Sequence, residues 1–263
     1  MDIVVCVKRV PDTSEADVKI DGSGKDIDSE DLTFDINEWD NYAIEEAILI
    51  KEKVGGTVTA ITIGPEESNE VLRRCMAKGA DNAIRLTDDA FNGSDGYAIA
   101  KILHSGIKDM QFDAVFLGAQ AGDDGYGVVG PMLAEMLGLP HATLVTKVDL
   151  EDGKTRVHRE LEGGLEEVVD VNLPAVMGIQ TGINEPRYVS IMGIRKVAKK
   201  EIPVKGLSDI GLSADDVGEA GSKTKIESMY IPEVGEVAEI IEGSPDEAAG
   251  KLAQILKDKG LLG

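Results

Sequence analysis

The sequence predicts an α/β protein with a doubly wound, mostly parallel β-sheet, antiparallel strands at one sheet edge and a C-terminal arm. Short β-branched runs alternate with amphipathic segments up to about residue 148, which is typical of buried parallel strands covered by helices. Alternating polar and apolar residues follow and indicate antiparallel strands. Beyond about residue 200 the chain is irregular. We therefore predict an α/β domain over residues 1–200 and an arm over residues 201–263.

The first strand and the first helix are predicted from a β-branched run and a capping signal. Residues 3–7 form the run. Asn37 is a favoured N-cap residue, and Asp40 stands three positions later in a capping-box-like arrangement. The helix that follows has an apolar stripe, a solvent face that includes Glu45, and an end at residues 55–56, both glycines.

The alternation of strands and helices then repeats through the middle of the chain. Strands are predicted at 58–63, 83–86, 114–117 and 143–148, and helices at 66–78, 97–107 and 129–137. Antiparallel edge strands are predicted at 155–161 and 167–171, a last apolar strand at 175–179 and a final helix at 245–259. This alternation predicts a parallel sheet covered by helices on both faces, and the right-handed crossover rule fixes the hand of each βαβ unit.

Composition excludes several classes of protein. The net charge is −22, a field that repels nucleic acid and anionic lipid, so we expect neither as a partner. The two cysteines include no CxxC motif, which excludes a disulfide scaffold, a zinc ribbon and a cysteine-ligated iron–sulfur site within the chain. No apolar run approaches the roughly 20 residues of a membrane span, and the first 20 residues lack a signal peptide's apolar core. We expect a cytoplasmic, soluble protein without membrane insertion.

The most informative segment is a glycine-rich segment, residues 118–131, which follows a predicted strand and leads into a helix. Open α/β sheets bind ligands at this place. Glycines let backbone N–H groups approach phosphate oxygens, and the helix N-terminus adds positive potential. The alternative is a flexible connection between strand and helix.

A literal GxGxxG motif lies inside this segment, at Gly125, Gly127 and Gly130. A dinucleotide-binding fingerprint should instead follow the first strand directly and open its helix. The first strand here ends in Lys8-Arg9 with no glycine, so a standard NAD site is disfavoured. These two basic residues are candidates for neutralising a ligand phosphate or a partner's acidic group; the alternative is a solvated strand end.

The chain offers a binding site without visible catalytic machinery. The three histidines are scattered, and no Ser/His/Asp or Cys/His arrangement is present. Residues 37–40 begin a helix at the expected ligand-facing edge, with a cap and a core tryptophan as the equally weighted alternative. The sequence therefore favours a protein that does not catalyse a reaction by itself.

Several blocks, in the right order, resemble the small (beta) subunit of electron-transfer flavoproteins over essentially the whole chain. The blocks are residues 5–10, 37–47, 76–81, 118–131, the pattern at 157–164, 173–176 and 184–188. The resemblance implies an adenine-nucleotide-binding, Rossmann-like fold. It implies a heterodimer whose alpha subunit holds the redox FAD, while this subunit carries AMP and its C-terminal arm wraps the partner.

The resemblance implies one main function and two alternatives. In the main function the heterodimer shuttles electrons from an acyl-CoA-type dehydrogenase to a downstream oxidoreductase such as a quinone reductase. In electron-bifurcating members a second FAD replaces the AMP and accepts hydride from NADH. A stand-alone nucleotide-binding enzyme of similar fold is the second alternative, and no Walker-type lysine motif supports it.

Matched block by block, the resemblance implies a set of site residues. The nucleotide pocket would use Cys6, Asn37, Glu38, Trp39, Asp40, Ile63, Gly118, Ala119, Gln120, Ala121, Gly122, Asp123, Asp124, Gly125, Tyr126, Gly127, Val128 and Val129. A docking loop at residues 188–196 would present Ile191 to a pocket on the dehydrogenase, together with Met192, Gly193, Ile194 and Lys196.

The sequence departs from the family pattern at three places. The common Asn-Pro-aromatic motif has Glu38 in place of proline, and Gly178 replaces a small residue with a side chain. The glycine-rich segment shows Tyr126, Gly127 and Val128 where Thr, Asn or Gln usually contact phosphate. The third departure leaves AMP and a second FAD both open.

Overall fold

The computed structural model describes residues 1–14, 16–151, 153–232 and 238–262. Its strands are β1 (Ile3–Cys6), β2 (Arg9–Pro11), β3 (Phe34–Ile36), β4 (Val58–Ile63), β5 (Asn82–Leu86), β6 (Ala114–Gly118), β7 (His141–Glu151), β8 (Lys154–Leu161), β9 (Leu165–Asn172), β10 (Ala175–Ile179) and β11 (Val204–Lys205). Its α-helices are α1 (Glu38–Val54), α2 (Asn69–Lys78), α3 (Gly96–Ile107), α4 (Val129–Leu137), α5 (Ile191–Val197), α6 (Gly218–Gly221) and α7 (Pro245–Asp258).

A nine-stranded sheet with the order β11-β5-β4-β1-β6-β10-β7-β8-β9 forms the centre of the fold. Neighbouring strands are parallel from β11 to β7 and antiparallel from β7 to β9. The predicted doubly wound, mostly parallel sheet with antiparallel edge strands is therefore confirmed. The strands β2 and β3 form a separate antiparallel pair that the sequence pattern does not predict.

The sheet separates two hydrophobic cores, and the side chains of β1 alternate between them. Ile3 and Val5 pack with α1 and α2 on one face, whereas Val4 and Cys6 pack with α3 and α4 on the other. This burial on both faces explains why the strand is an uninterrupted β-branched run. A crevice opens between β1 and β6, where the strand order reverses. On one side of this point the chain runs through β1, β4 and β5, and on the other through β6, β10 and β7.

Helix α1 differs from its prediction at both its start and its polar face. Asn37 makes no side-chain hydrogen bond that caps the helix, so the expected capping box is wrong. Glu45 is 2% exposed and not on a solvent face, because it pairs with Arg187 and Lys78 from other parts of the chain. In both cases the side chain bonds to residues that are distant in sequence. An argument from the helix alone expects it to bond within the helix or to face water.

The predicted arm has two parts of different character. Strand β11 extends the sheet beside β5, and Ile210 and Val217 are buried in the core under α3. Beyond Thr224 the described residues are mostly exposed and touch the domain through a hydrogen bond from Met229 N to Gly24 O, 2.8 Å. Helix α7 has no buried residue. Within the described ranges every helix is too short or too polar to cross a membrane.

Candidate nucleotide-binding site

A cavity of about 220 Å³ opens at the carboxyl ends of β1 and β6, between the N-termini of α3 and α4. Its walls are largely apolar and its polar groups sit at the rim and floor. The apolar lining is contributed by Cys6, Val7, Ile63, Ile99, Leu103, Leu117 and Val129. A pocket with apolar walls and a few convergent polar groups suits a small organic ligand with a polar end.

Backbone N–H groups at the start of α4 supply the donors of this site. Among the described residues, no protein acceptor takes the N–H of Gly127, Val129 or Gly130. Gly127 has φ of 62°, a left-handed conformation that glycine adopts at low cost, and it lines the cavity. Free N–H groups at a helix N-terminus bind anions such as phosphate.

The side chain of Asn37 binds the backbone of the glycine-rich segment. Its Nδ2 donates to the carbonyl oxygen of Gln120 at 2.9 Å, and its Oδ1 accepts from the N–H of Gly122 at 3.0 Å. Asn37 is 1% exposed, so both hydrogen bonds are protected from water. The amide thus holds the segment in place, with both of its polar atoms bound to that backbone.

Asp40 joins the ends of the two central strands under the cavity. Its two carboxylate oxygens accept from the N–H groups of Lys8 and Gly118, each at 2.7 Å. A Cβ at Gly118 would lie 2.6 Å from an oxygen of Asp40, so the close approach requires glycine there. Burial raises the pKa of Asp40 to about 7, although the two N–H donors lower it.

The protonation of Asp40 predicts a pH dependence of stability. Between pH 4 and 7 the folded protein retains a proton on this carboxyl, whereas the unfolded chain has lost it. The contribution of Asp40 to the free energy of unfolding therefore falls as pH rises through this range. In urea unfolding, we expect the stability of wild type relative to Asp40→Asn to decrease by about 1–4 kcal/mol from pH 5 to 8. A difference that stays constant over this range would show that Asp40 is ionised throughout.

Lys8 forms salt bridges with two acidic residues at the mouth of the cavity and offsets part of their negative charge. Its Nζ lies 2.6 Å from Asp123 Oδ1 and 2.8 Å from Asp124 Oδ2. The hydrogen bonds to these carboxylates raise the pKa of Lys8, against the lowering caused by its burial. One of the two negative charges that argue against a phosphate in this segment is therefore offset within the protein.

Trp39 belongs to the site's outer edge. Its Nε1 donates to Gln180 Oε1 at 2.8 Å, and Gln180 Nε2 donates to Glu160 Oε2 at 2.8 Å. The indole is half-buried and lies beside Gly118 and Gly122 without lining the cavity. Its side chain thus orders a polar chain across the ends of β10 and β8.

The structure brings most of the expected pocket residues to the cavity. Those that line it are Cys6, Asn37, Asp40, Ile63, Gly118, Ala119, Gln120, Ala121, Asp124, Tyr126, Gly127 and Val129. Expected residues that do not line it are Glu38, Trp39, Gly122, Asp123, Gly125 and Val128. Lining residues that the set implied by the resemblance omits are Val7, Lys8, Ser94, Asp95, Gly96, Ile99, Leu103, Leu117 and Gly130, of which Lys8 and Gly130 are candidates on other sequence grounds.

The sequence does contain a helix-start signal for some of these additional lining residues. Asp95 caps α3 by accepting from the N–H of Ala98 at 3.0 Å, and Asp followed by Gly at a helix start is visible in the sequence. Nothing in the sequence says that this helix start faces the glycine-rich segment. A Cβ at Gly96 would lie 2.8 Å from Val128 Cγ2, which shows how closely the two helix starts approach.

The chemistry available in the cavity is binding. Burial raises the pKa of the Cys6 thiol far above neutral pH, so this residue is a wall and not a nucleophile. Among the described residues no group of three His, Cys, Asp or Glu side chains could hold a metal ion. Apolar walls beside free N–H donors fit a planar base attached to an anionic group.

The segment expected to dock the electron-donating dehydrogenase lies away from the cavity, and most of it is helical. The prediction of a loop at residues 188–196 is wrong for residues 191–196, which belong to helix α5, and Ser190 caps this helix by accepting from Gly193 N at 3.1 Å. Ile191 and Met192 are 68% and 69% exposed, whereas Ile194 is half-buried. Gly193 therefore lies inside a helical turn and does not break the chain direction.

Comparison with known proteins identifies relatives over nearly the full chain. The family model for the electron transfer flavoprotein domain matches residues 26–209. The chain is 44% identical over 262 residues to an electron transfer flavoprotein subunit beta of Methylophilus methylotrophus, covering 98% of each chain. It is 41% identical to the corresponding subunit of Thermoanaerobacterium thermosaccharolyticum, covering 100% of each. It is 38% identical to subunit CarD of a caffeyl-CoA reductase–Etf complex of Acetobacterium woodii, again covering 100% of each.

Proposed function

Because the chain belongs to the electron transfer flavoprotein family as a beta subunit, we propose that it pairs with an alpha subunit that holds the redox FAD. The heterodimer carries electrons from a dehydrogenase of the acyl-CoA type to a downstream oxidoreductase such as a quinone reductase. The observation that carries this proposal is the cavity between β1 and β6, which offers binding groups without a nucleophile. The exposed apolar side chains on α7 support the need for a partner.

We propose AMP as the ligand of the cavity. The free N–H groups of Gly127, Val129 and Gly130 would hold its phosphate, and the apolar walls would hold its adenine. AMP supplies no redox chemistry, so its contribution in this position is structural. Lys8 reduces the repulsion that Asp123 and Asp124 would exert on the phosphate.

The bound nucleotides provide the test of this proposal. Purified heterodimer is denatured, and the released small molecules are identified and counted by mass spectrometry. One FAD and one AMP per heterodimer are expected. Two FAD and no AMP would contradict the AMP assignment, and a protein without any nucleotide would contradict the assignment of the cavity.

A bifurcating subunit with a second FAD is the competing function. One observation favours it: the similarity to CarD, a subunit of a caffeyl-CoA reductase–Etf complex. FAD in the beta subunit would supply a second redox centre. Reduction by NADH of a heterodimer that contains two FAD would distinguish this function from the first.

Docking of the donor dehydrogenase on α5 gives a further prediction. Ile191→Ala should raise the apparent KM of an acyl-CoA dehydrogenase for the heterodimer by roughly 5- to 150-fold, because an exposed apolar anchor contributes about 1–3 kcal/mol to an interface. Flavin content and Tm should not change, since Ile191 is 68% exposed. Lys196, Lys199 and Lys200 lie on or just beyond α5 and should act on the association rate and its salt dependence.

The control for Ile191 is an exposed apolar residue on another surface. Val54 is 50% exposed at the end of α1, so Val54→Ala should leave the KM unchanged. A lower Tm with unchanged KM in Ile191→Ala would mean that Ile191 serves folding and not docking.

A further inference from the structure

Helix α5 is too short to be stable by itself. It has seven residues, and isolated helices shorter than about 12 residues are marginal in water. Val197 is its only buried residue among those described. The surface that α5 presents to solvent carries Ile191 and Met192, whose side chains are mostly exposed and add little to its packing. Other contacts must therefore hold the helix in place.

The segment that enters α5 is held at Arg187 by a buried network. Glu45 accepts from both the backbone N–H of Arg187, at 3.0 Å, and its Nε, at 2.8 Å. Lys78 Nζ donates to the carbonyl oxygen of Arg187 at 2.9 Å. The side chains of Glu45 and Lys78 are 3% and 5% exposed, so water does not compete for these bonds. The backbone of Arg187 is thus clamped on both sides.

The end of α5 is held by a second arginine. Arg73, on α2, donates through Nη1 to the carbonyl oxygen of Val197 at 2.6 Å and also to that of Lys200. A cation at a helix C-terminus also interacts favourably with the helix dipole. Between the two ends α5 lies close to α2, since a Cβ at Gly193 would be 3.9 Å from Ala77 Cβ. Helix α2 therefore supports α5 along its whole length.

We propose that Arg73 and Lys78 of α2 are positioning residues for donor docking, which hold α5 in its binding-competent helix before the dehydrogenase arrives. The inference rests on the proposed docking function. A rigid short helix presents Ile191 and Met192 together without first being ordered, and pre-organisation lowers the entropic cost of binding. Neither Arg73 nor Lys78 needs to touch the dehydrogenase to act in this way.

The principal variant is Arg73→Met, because Arg73 is partly exposed and its loss leaves no buried charge unpaired. The apparent KM of the acyl-CoA dehydrogenase for the heterodimer should rise roughly three- to tenfold with kcat unchanged. Arg73→Lys should restore part of this loss. Arg74→Met is the matched control: Arg74 is the next residue on α2 and pairs with Asp35 on β3. Lys78→Met tests the clamp at the other end of α5.

Hydrogen exchange gives a readout that does not involve the dehydrogenase. In Arg73→Met heterodimer the amides of α5 should exchange faster, whereas those of β1 and α1 should keep their wild-type rates. Faster exchange throughout the domain would overturn the proposal, because Arg73 would then support the fold and not α5. Unchanged exchange in α5 would overturn it as well.

A double variant separates this inference from the docking function itself. If α5 acts through Ile191, then Arg73→Met should raise the KM much less in an Ile191→Ala background than in wild type. Additive effects would overturn the positioning role. If Ile191→Ala raises the KM and Arg73→Met does not, docking stands and the inference is wrong. If Ile191→Ala leaves the KM unchanged, both are wrong.

Discussion

Deletion of residues 245–263 should weaken assembly of the heterodimer about 100-fold or more, while the α/β domain keeps its fold. Helix α7 has no buried residue, and Leu252 and Ile255 are 47% and 38% exposed on it, with Leu261 and Leu262 exposed just beyond. Burying two or three such side chains against a partner contributes roughly 3 kcal/mol or more. Sedimentation of the co-expressed subunits measures the change in dissociation constant.

The control for this deletion separates the apolar side of α7 from its polar side. Leu252→Asp with Ile255→Asp should reproduce most of the loss, because it places charges on the surface that we expect the alpha subunit to cover. Gln254→Ala should leave assembly unchanged, since among the described residues Gln254 bonds within the helix, to Asp258 at 2.7 Å. A truncated chain that co-purifies with the alpha subunit as well as wild type does would contradict the wrapping role of the arm.

Gly127→Asp should reduce nucleotide retention at least tenfold. The substitution forces a side chain into a backbone with φ of 62° and adds a negative charge beside the N–H groups that begin α4. A Cβ at this position meets only the carbonyl oxygen of Ala119, at 3.5 Å, so steric overlap with the protein is small. The measurement is the nucleotide content per heterodimer after purification.

Gly127→Asn is the matched control for the charge. Asparagine has nearly the same size and tolerates the left-handed conformation at least as well as aspartate, but it is neutral. We expect it to retain clearly more nucleotide than Gly127→Asp at the same purification stage. A full complement of nucleotide in Gly127→Asp would mean that the glycine-rich segment does not bind the phosphate.

The regular elements follow from the sequence because their signals are local. The strands at 58–63 and 175–179 and the helix at 129–137 agree with their predictions at both ends. Each is a continuous apolar or amphipathic run bounded by glycine, proline or polar residues, so burial and backbone preference agree. The short strands β2, β3 and β11 and the helix α5 are missed because two to seven residues carry no periodic pattern.

The sequence by itself determines the fold class, the family and the edge of the sheet where the cavity lies, since these depend on burial patterns and on a glycine-rich segment. Only the tertiary structure decides what the polar side chains there do. Asn37 could cap its own helix, yet it binds the backbone of Gly122, 85 residues away. Glu45 could face water, yet it holds Arg187, 142 residues away. A buried polar group must find a hydrogen-bond partner, and which partner it finds is set by the packing of distant segments.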